Sequence, residues 1–241
     1  MPELPETTWG DPAADRRALL LHGLSSSGAT WWRVAEALAS DGWHVTAVDL
    51  RGNGDAATAE HYAFADYAAD LPGHGWNLLV GHSLGGAVAT FAALRAGFAD
   101  RVVLLDPAID LPTDDLAGLL ASELDELALD EAGFRALRPT WHPTDVALKA
   151  ASAAKATADM VAGTVAHNTP WTALAEAARL PVATLIVGGD PVVYSMLPTA
   201  TALALVAANP LIEYRVVEGA GHSPHRDRPD ETLALLREWL G

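Results

Sequence analysis

Short apolar runs recur along the chain, and most of them are separated by stretches whose apolar residues follow a helical spacing. Ala18-Leu19-Leu20-Leu21, Val45-Thr46-Ala47-Val48, Leu78 to Gly81, Arg101 to Leu105, Val182 to Val187 and Ile212 to Val217 are strand-length. Near-continuous Leu/Val runs of this kind are what parallel strands covered on both faces look like. A short edge strand is expected near Thr7 to Trp9. Trp32, Val34, Ala35 and Leu38 predict a helix over Trp31 to Ser40, and further helices are predicted between His61 and Asp70, from Leu84 towards Gly97, over about Thr199 to Ala208, and from Pro229 to the end. Strands alternating with helices predict an α/β fold with a mostly parallel, doubly wound sheet.

Between Pro107 and Leu180 the alternation stops. Leu116, Leu119, Leu120, Leu124 and Leu127 share one face of a predicted helix over Asp114 to Leu129 with Thr113 as its N-cap; Thr144 is expected to cap a second helix closed near Gly163, and Thr169-Pro170 to open a third through Arg179. Residues 107–180 therefore read as a helical insertion over the strand ends, and residues 1–106 and 181–241 as the core. With 241 residues, half of them apolar, one domain with an insertion is expected.

Charge narrows the partners. A formal net charge of −16 opposes binding to nucleic acid or anionic membrane, so neither is expected. The lack of cysteine excludes disulfides and thiolate chemistry. Nine histidines invite a metal, yet none shows His-x-x-x-His spacing, and no metal or other cofactor is expected. Met1 to Glu6 has neither a basic stretch nor an apolar run of the signal-peptide kind, which suggests a soluble, cytoplasmic chain. Oligomeric state is not indicated.

The chemistry gathers where strands end. Gly81-His82-Ser83-Leu84-Gly85 runs from a strand into a helix, a G-x-S-x-G turn tight enough to hold Ser83 strained at its tip with the hydroxyl projecting. The helix start beyond it leaves backbone N–H groups free to meet developing negative charge. His22-Gly23, Asp106, Asp190 and His222 also follow predicted strands, and in a doubly wound sheet those loops share one edge. A serine hydroxyl becomes a nucleophile when an imidazole takes its proton, and the imidazole needs a carboxylate to orient it. The order Ser83, Asp190, His222 supplies all three.

The chain resembles the α/β-hydrolase superfamily over nearly its whole length, through His22-Gly23, Asp49-Leu50-Arg51-Gly52-Asn53-Gly54, Gly81 to Gly86, Asp190-Pro191-Val192-Val193 and Gly219-Ala220-Gly221-His222-Ser223-Pro224. The resemblance implies Ser83 as nucleophile, His222 as base, Asp190 as acid, an oxyanion hole from the N–H groups of Leu24 and Leu84, and residues 107–180 as a cap. Gly188-Gly189-Asp190 is shorter than the family's usual spacing, which makes Asp106 the alternative acid; Asp190 is preferred because Asp-Pro-Val-Val matches the usual surroundings. His82 reads as a buried hydrogen-bonding histidine and His225 as a solvated loop residue. Ser25, Trp141 and Trp171 are candidate pocket residues.

Together these readings predict a serine hydrolase for a small, uncharged and fairly hydrophobic carboxylic ester or lactone. Alternatives on the same fold are a C–C bond hydrolase, a hydroxynitrile lyase, or a ligand receptor with little turnover.

Overall fold

The computed structural model describes residues 3–241. Seven strands form one sheet: β1 (Glu6–Trp9), β2 (Arg16–Leu21), β3 (Trp43–Val48), β4 (Leu78–His82), β5 (Arg101–Leu105), β6 (Ala183–Gly188) and β7 (Ile212–Val216). Their order is β1-β3-β2-β4-β5-β6-β7, and every neighbouring pair is parallel except β1 with β3. The helices outside the insertion are α1 (Trp32–Ser40), α2 (Phe64–Asp70), α3 (Leu84–Ala93), α9 (Thr199–Ala208), α10 (Pro224–Asp227) and α11 (Pro229–Leu240). This is the doubly wound α/β sheet that the apolar pattern predicts.

Strand alternation divides the core. Leu19, Leu21, Leu79, Val102, Leu104 and Ile186 pack on one face with α2, α3 and α9, while Leu20, Val45, Val80, Val103, Leu105 and Val187 pack on the other with α1 and α11. Successive side chains of a strand point to opposite faces, so an unbroken apolar run is what two covered faces require.

The insertion carries five helices, α4 (Leu116–Leu127), α5 (Glu131–Leu137), α6 (Pro143–Ala153), α7 (Ala158–His167) and α8 (Leu174–Ala177). Phe134, Trp141, Val146, Ala150 and Ala153 form a small core of their own between α5 and α6. The predicted caps shift. Thr113 opens a 3₁₀ turn and makes no capping bond. The helix expected from Thr144 to Gly163 is two helices, because Thr157 accepts from Met160 N–H and starts a new one. Gly163 lies inside α7, where a Cβ would come within 2.9 Å of the Tyr62 ring. Thr169-Pro170 starts no helix: Leu111 N–H donates to Trp171 C=O and Ala173 N–H to Ile109 C=O, so tertiary pairing holds this stretch extended. Among the described residues no helix is long and apolar enough to cross a membrane.

The turn after β4 depends on absent side chains. A Cβ on Gly85 would stand 2.2 Å from Leu21 C=O and one on Gly81 2.2 Å from Gly85 C=O. Gly85→Ala is therefore expected to lower stability by about 3 kcal/mol or more, read as a drop in the urea midpoint, whereas Gly118→Ala, with open space at its Cβ, should not.

Candidate active site

Three non-glycine residues among those described have left-handed backbone, Ser25 (φ 54°), Ser83 (φ 53°) and Asp106 (φ 36°). All three sit at or just beyond the carboxyl ends of strands, and strained backbone of this kind clusters at functional sites. Ser83, with ψ −119°, lies between β4 and α3. Its N–H donates to Leu105 C=O, and its own C=O accepts from Gly86, Ala87 and Ala108, so the surrounding loops hold the turn in place. The first residue of a helix has no intrahelical acceptor for its N–H, and Leu84 is that residue in α3. Leu24 lies across the site, in the turn after β2, and lines the same cavity as Ser83.

His222 contradicts the preferred acid. Its Nδ1 meets Asp106 Oδ2 at 2.6 Å, and Asp106 is fully buried at the end of β5. Asp106 Oδ1 also accepts from Gly189 N–H and, at 2.5 Å, from Ser195 Oγ, while Oδ2 accepts from Met196 N–H at 2.8 Å. Burial alone would raise the Asp106 pKa, but the hydrogen bond and charge from His222, with the bonds from Ser195 and Met196, hold it below the ordinary aspartate value.

Asp190 turns elsewhere. Its Oδ1 accepts from Val192 N–H and its Oδ2 from Gly219 N–H, both at 2.9 Å, which ties one loop to the next and leaves nothing for the imidazole. The cause is the short loop: a Cβ on Gly189 would lie 2.5 Å from Gly221 C=O, so the chain leaves β6 pressed against the His222 loop. The brevity of Gly188-Gly189-Asp190 was the available sequence signal.

The turn that carries Leu24 is fixed from two directions. Leu50 N–H donates to His22 Nε2 at 3.0 Å, so the His22 proton is on Nδ1, which donates to Gly23 C=O at 2.7 Å and polarises the amide that carries Leu24 N–H. Burial pushes the His22 pKa down to about 4, against the opposing pull of that bond. Ser25, a predicted pocket residue, is buried and does not itself line the cavity: Ser25 N–H donates to Asn53 Oδ1 and Ser25 Oγ to Oε2 of Glu123, a residue of the cavity wall. Lys149 donates to Ser25 C=O at 3.1 Å and pairs with Glu126 at 3.3 Å. Helices α4 and α6 thus grip the turn after β2, a link that no local pattern reveals.

Histidines pack behind the site. His82 Nε2 donates to His222 C=O at 2.8 Å, as expected of a buried hydrogen-bonding histidine. His225 is not solvated: it is buried, stacks on Trp31 with ring centres 4.8 Å apart, and abuts His82. Burial lowers the pKa of both well below the usual imidazole value. With His22 this makes three imidazoles that the unfolded chain protonates before the folded one does. Stability is then lost as pH falls below about 6.5, by about 1.4 kcal/mol per pH unit for each such histidine. The urea midpoint at pH 5.5 is expected to lie below that at pH 7.5, and His225→Phe should narrow the gap.

A cavity of about 830 Å³ opens above Ser83 and His222, and Trp141 lines it. Trp171 does not. It is 2% exposed in the main core, edge-on to Phe64, with its Nε1–H on Ala108 C=O. The walls depart from those expected for an uncharged, fairly hydrophobic substrate, since Glu123, Glu126, Arg138, Lys149 and Arg226 all contribute to them. Burial raises the Glu123 pKa, partly offset by Lys149.

A nucleophile-type turn after a central parallel strand, with a His–Asp pair at the same sheet edge, places the molecule among proteins of the α/β-hydrolase fold. A model of the alpha/beta hydrolase family matches residues 18–235, and the chain belongs to that family. It is similar to Lipase LipV of Mycobacterium tuberculosis, 37% identical over 107 residues that make up 42% of this chain and 40% of the relative. That match spans less than half the length of either protein. Among solved structures, E-2-(acetamidomethylene)succinate hydrolase superposes with a TM-score of 0.83 at 24% identity, covering 98% of this chain and 94% of its own. A thermophilic esterase from Thermogutta terrifontis, determined with malate bound, gives 0.78 at 21% identity, covering 98% and 92%. Both likenesses concern the fold.

Proposed function

We propose that the protein is a serine hydrolase that cleaves a carboxylic ester or lactone through an acyl-enzyme, with Ser83 as nucleophile, His222 as base and Asp106 as acid. The observation that carries this reading is the 2.6 Å contact between His222 Nδ1 and buried Asp106, at the cavity into which the strained Ser83 turn opens. With Nδ1 committed to Asp106, Nε2 is the nitrogen left to take the Ser83 proton as Oγ attacks the carbonyl. The N–H groups of Leu24 and Leu84 would receive the negative charge on the carbonyl oxygen. His222 then returns the proton to the departing alcohol, and deprotonates the water that releases the acid from Ser83.

The kinship with a lipase over part of the chain supports ester chemistry over other reactions of the fold. Incubation with a fluorophosphonate probe, followed by peptide mass mapping, is expected to place the label on Ser83, and p-nitrophenyl acetate or butyrate should be turned over. A chain that binds esters without labelling or turnover would instead be a receptor.

A further inference from the structure

Arg226 is 5% exposed and lines the cavity that holds Ser83 and His222, yet its guanidinium makes no hydrogen bond to the protein and has no carboxylate oxygen within 4.0 Å among the described residues. Its Nε is buried without any partner. Arginine cannot shed its proton in a protein, so this is a desolvated charge without a hydrogen-bonded counter-ion.

The acids that act on Arg226, namely Asp145, Asp227 and Glu126, form no ion pair with it. Asp227 takes Trp141 Nε1–H on one oxygen and the N–H groups of Gly221 and Ser223 on the other. Glu126 is shared by Arg138 and Lys149. Asp145 accepts from Trp32 Nε1 on Oδ1; its Oδ2, 3.7 Å from Arg33, takes no hydrogen bond, yet it too stays more than 4.0 Å from the Arg226 guanidinium. These acids, with Arg138 opposing them, set the field around Arg226 without closing a bond to it. The other buried cation of the wall, Lys149, is fully occupied by Glu126 and the carbonyls of Leu24 and Ser25.

The Trp141 ring lies against the Arg226 guanidinium, 4.9 Å from its carbon to the ring centre. Stacking of this kind holds the planar fork by its face and leaves its N–H edge to donate. That edge matches a carboxylate bidentately. A chain of net charge −16 repels anions at long range, so an anionic group would have to be captured by such a local, desolvated donor.

We propose that Arg226, backed by Trp141, is a carboxylate-binding subsite of the cavity, and that the substrate is an ester or lactone carrying a second, free carboxylate. This rests on the serine-hydrolase reading above and specifies its substrate class. Charge-assisted pairing in a buried site predicts a preference of roughly 10- to 100-fold in kcat/KM for an acidic ester over its neutral counterpart.

The test compares monophenyl adipate with phenyl heptanoate at constant ionic strength. Wild type should favour the adipate ester, Arg226→Met should erase most of that ratio, and Arg226→Lys should keep part of it. Arg215→Met, on the exposed edge of β7, should leave the ratio as it is. Free adipate should also inhibit wild-type hydrolysis of phenyl heptanoate more strongly than adipamide does, a measurement that needs no variant. Equal loss on both esters in Arg226→Met, or no advantage of adipate over adipamide, would overturn the subsite. If wild type turns over neither ester and Ser83 is not labelled by a neutral fluorophosphonate, it is the hydrolase reading that fails instead.

Discussion

Ser83→Ala is expected to lower kcat on a p-nitrophenyl ester by about 10⁶-fold, and His222→Ala to do nearly the same. The reason lies in their common duty: a hydroxyl without its base and a base without its hydroxyl are equally unable to form the acyl-enzyme. The Ser83→Ala, His222→Ala double variant should therefore be hardly worse than either single one. The residual rate would come from the N–H groups of Leu24 and Leu84 and from binding in the cavity. Turnover and thermal melting are measured side by side, because Ser83→Ala removes only the hydroxyl and should leave the melt near wild type. Retention of more than a few per cent of activity in Ser83→Ala, or losses that multiply in the double variant, would sink the assignment.

The second large effect separates two aspartates. Asp106→Asn is expected to cost on the order of 10⁴-fold in kcat, the scale found when a triad imidazole is left in the wrong tautomer, while Asp190→Asn should change kcat by no more than a few-fold. Asp106 is buried against His222 Nδ1, Ser195 Oγ, and the N–H groups of Gly189 and Met196. An amide nitrogen placed there would face donors. Some loss of stability is expected as well, and a melt distinguishes it from the kinetic effect. The depressed Asp106 pKa gives a further readout. Its stabilising contribution is present above the ordinary aspartate value near 3.8 and is lost as pH falls through the lower folded value, so Asp106→Asn should flatten the acid limb of stability below about pH 4. The opposite ranking, a crippled Asp190→Asn and a mild Asp106→Asn, would return the acid to the loop after β6.

Much of this site is visible in the chain because it rests on local chemistry. Gly81, Ser83 and Gly85 announce their turn through the side chains that the turn cannot tolerate, and the same apolar runs that build β2, β4, β5 and β7 place His22, Ser83, Asp106 and His222 at one edge. The misplaced residues share a different property. Asp190, His225, Trp171 and Ser25 each sit in a plausible local context, yet their partners lie far along the sequence: Gly219 for Asp190, Trp31 for His225, Ala108 for Trp171 and Glu123 for Ser25.

By itself, then, the sequence determined the parallel sheet, the elbow at Ser83 and the helical character of residues 107–180, because strand and helix periodicity and the steric demands of glycine act over a few residues. Only the tertiary structure decided which aspartate reaches His222, which tryptophan lines the cavity, and which arginine is left without a partner. Those outcomes depend on how side chains share a small buried volume, where a shorter loop or a carboxylate already engaged redirects the bonds around it.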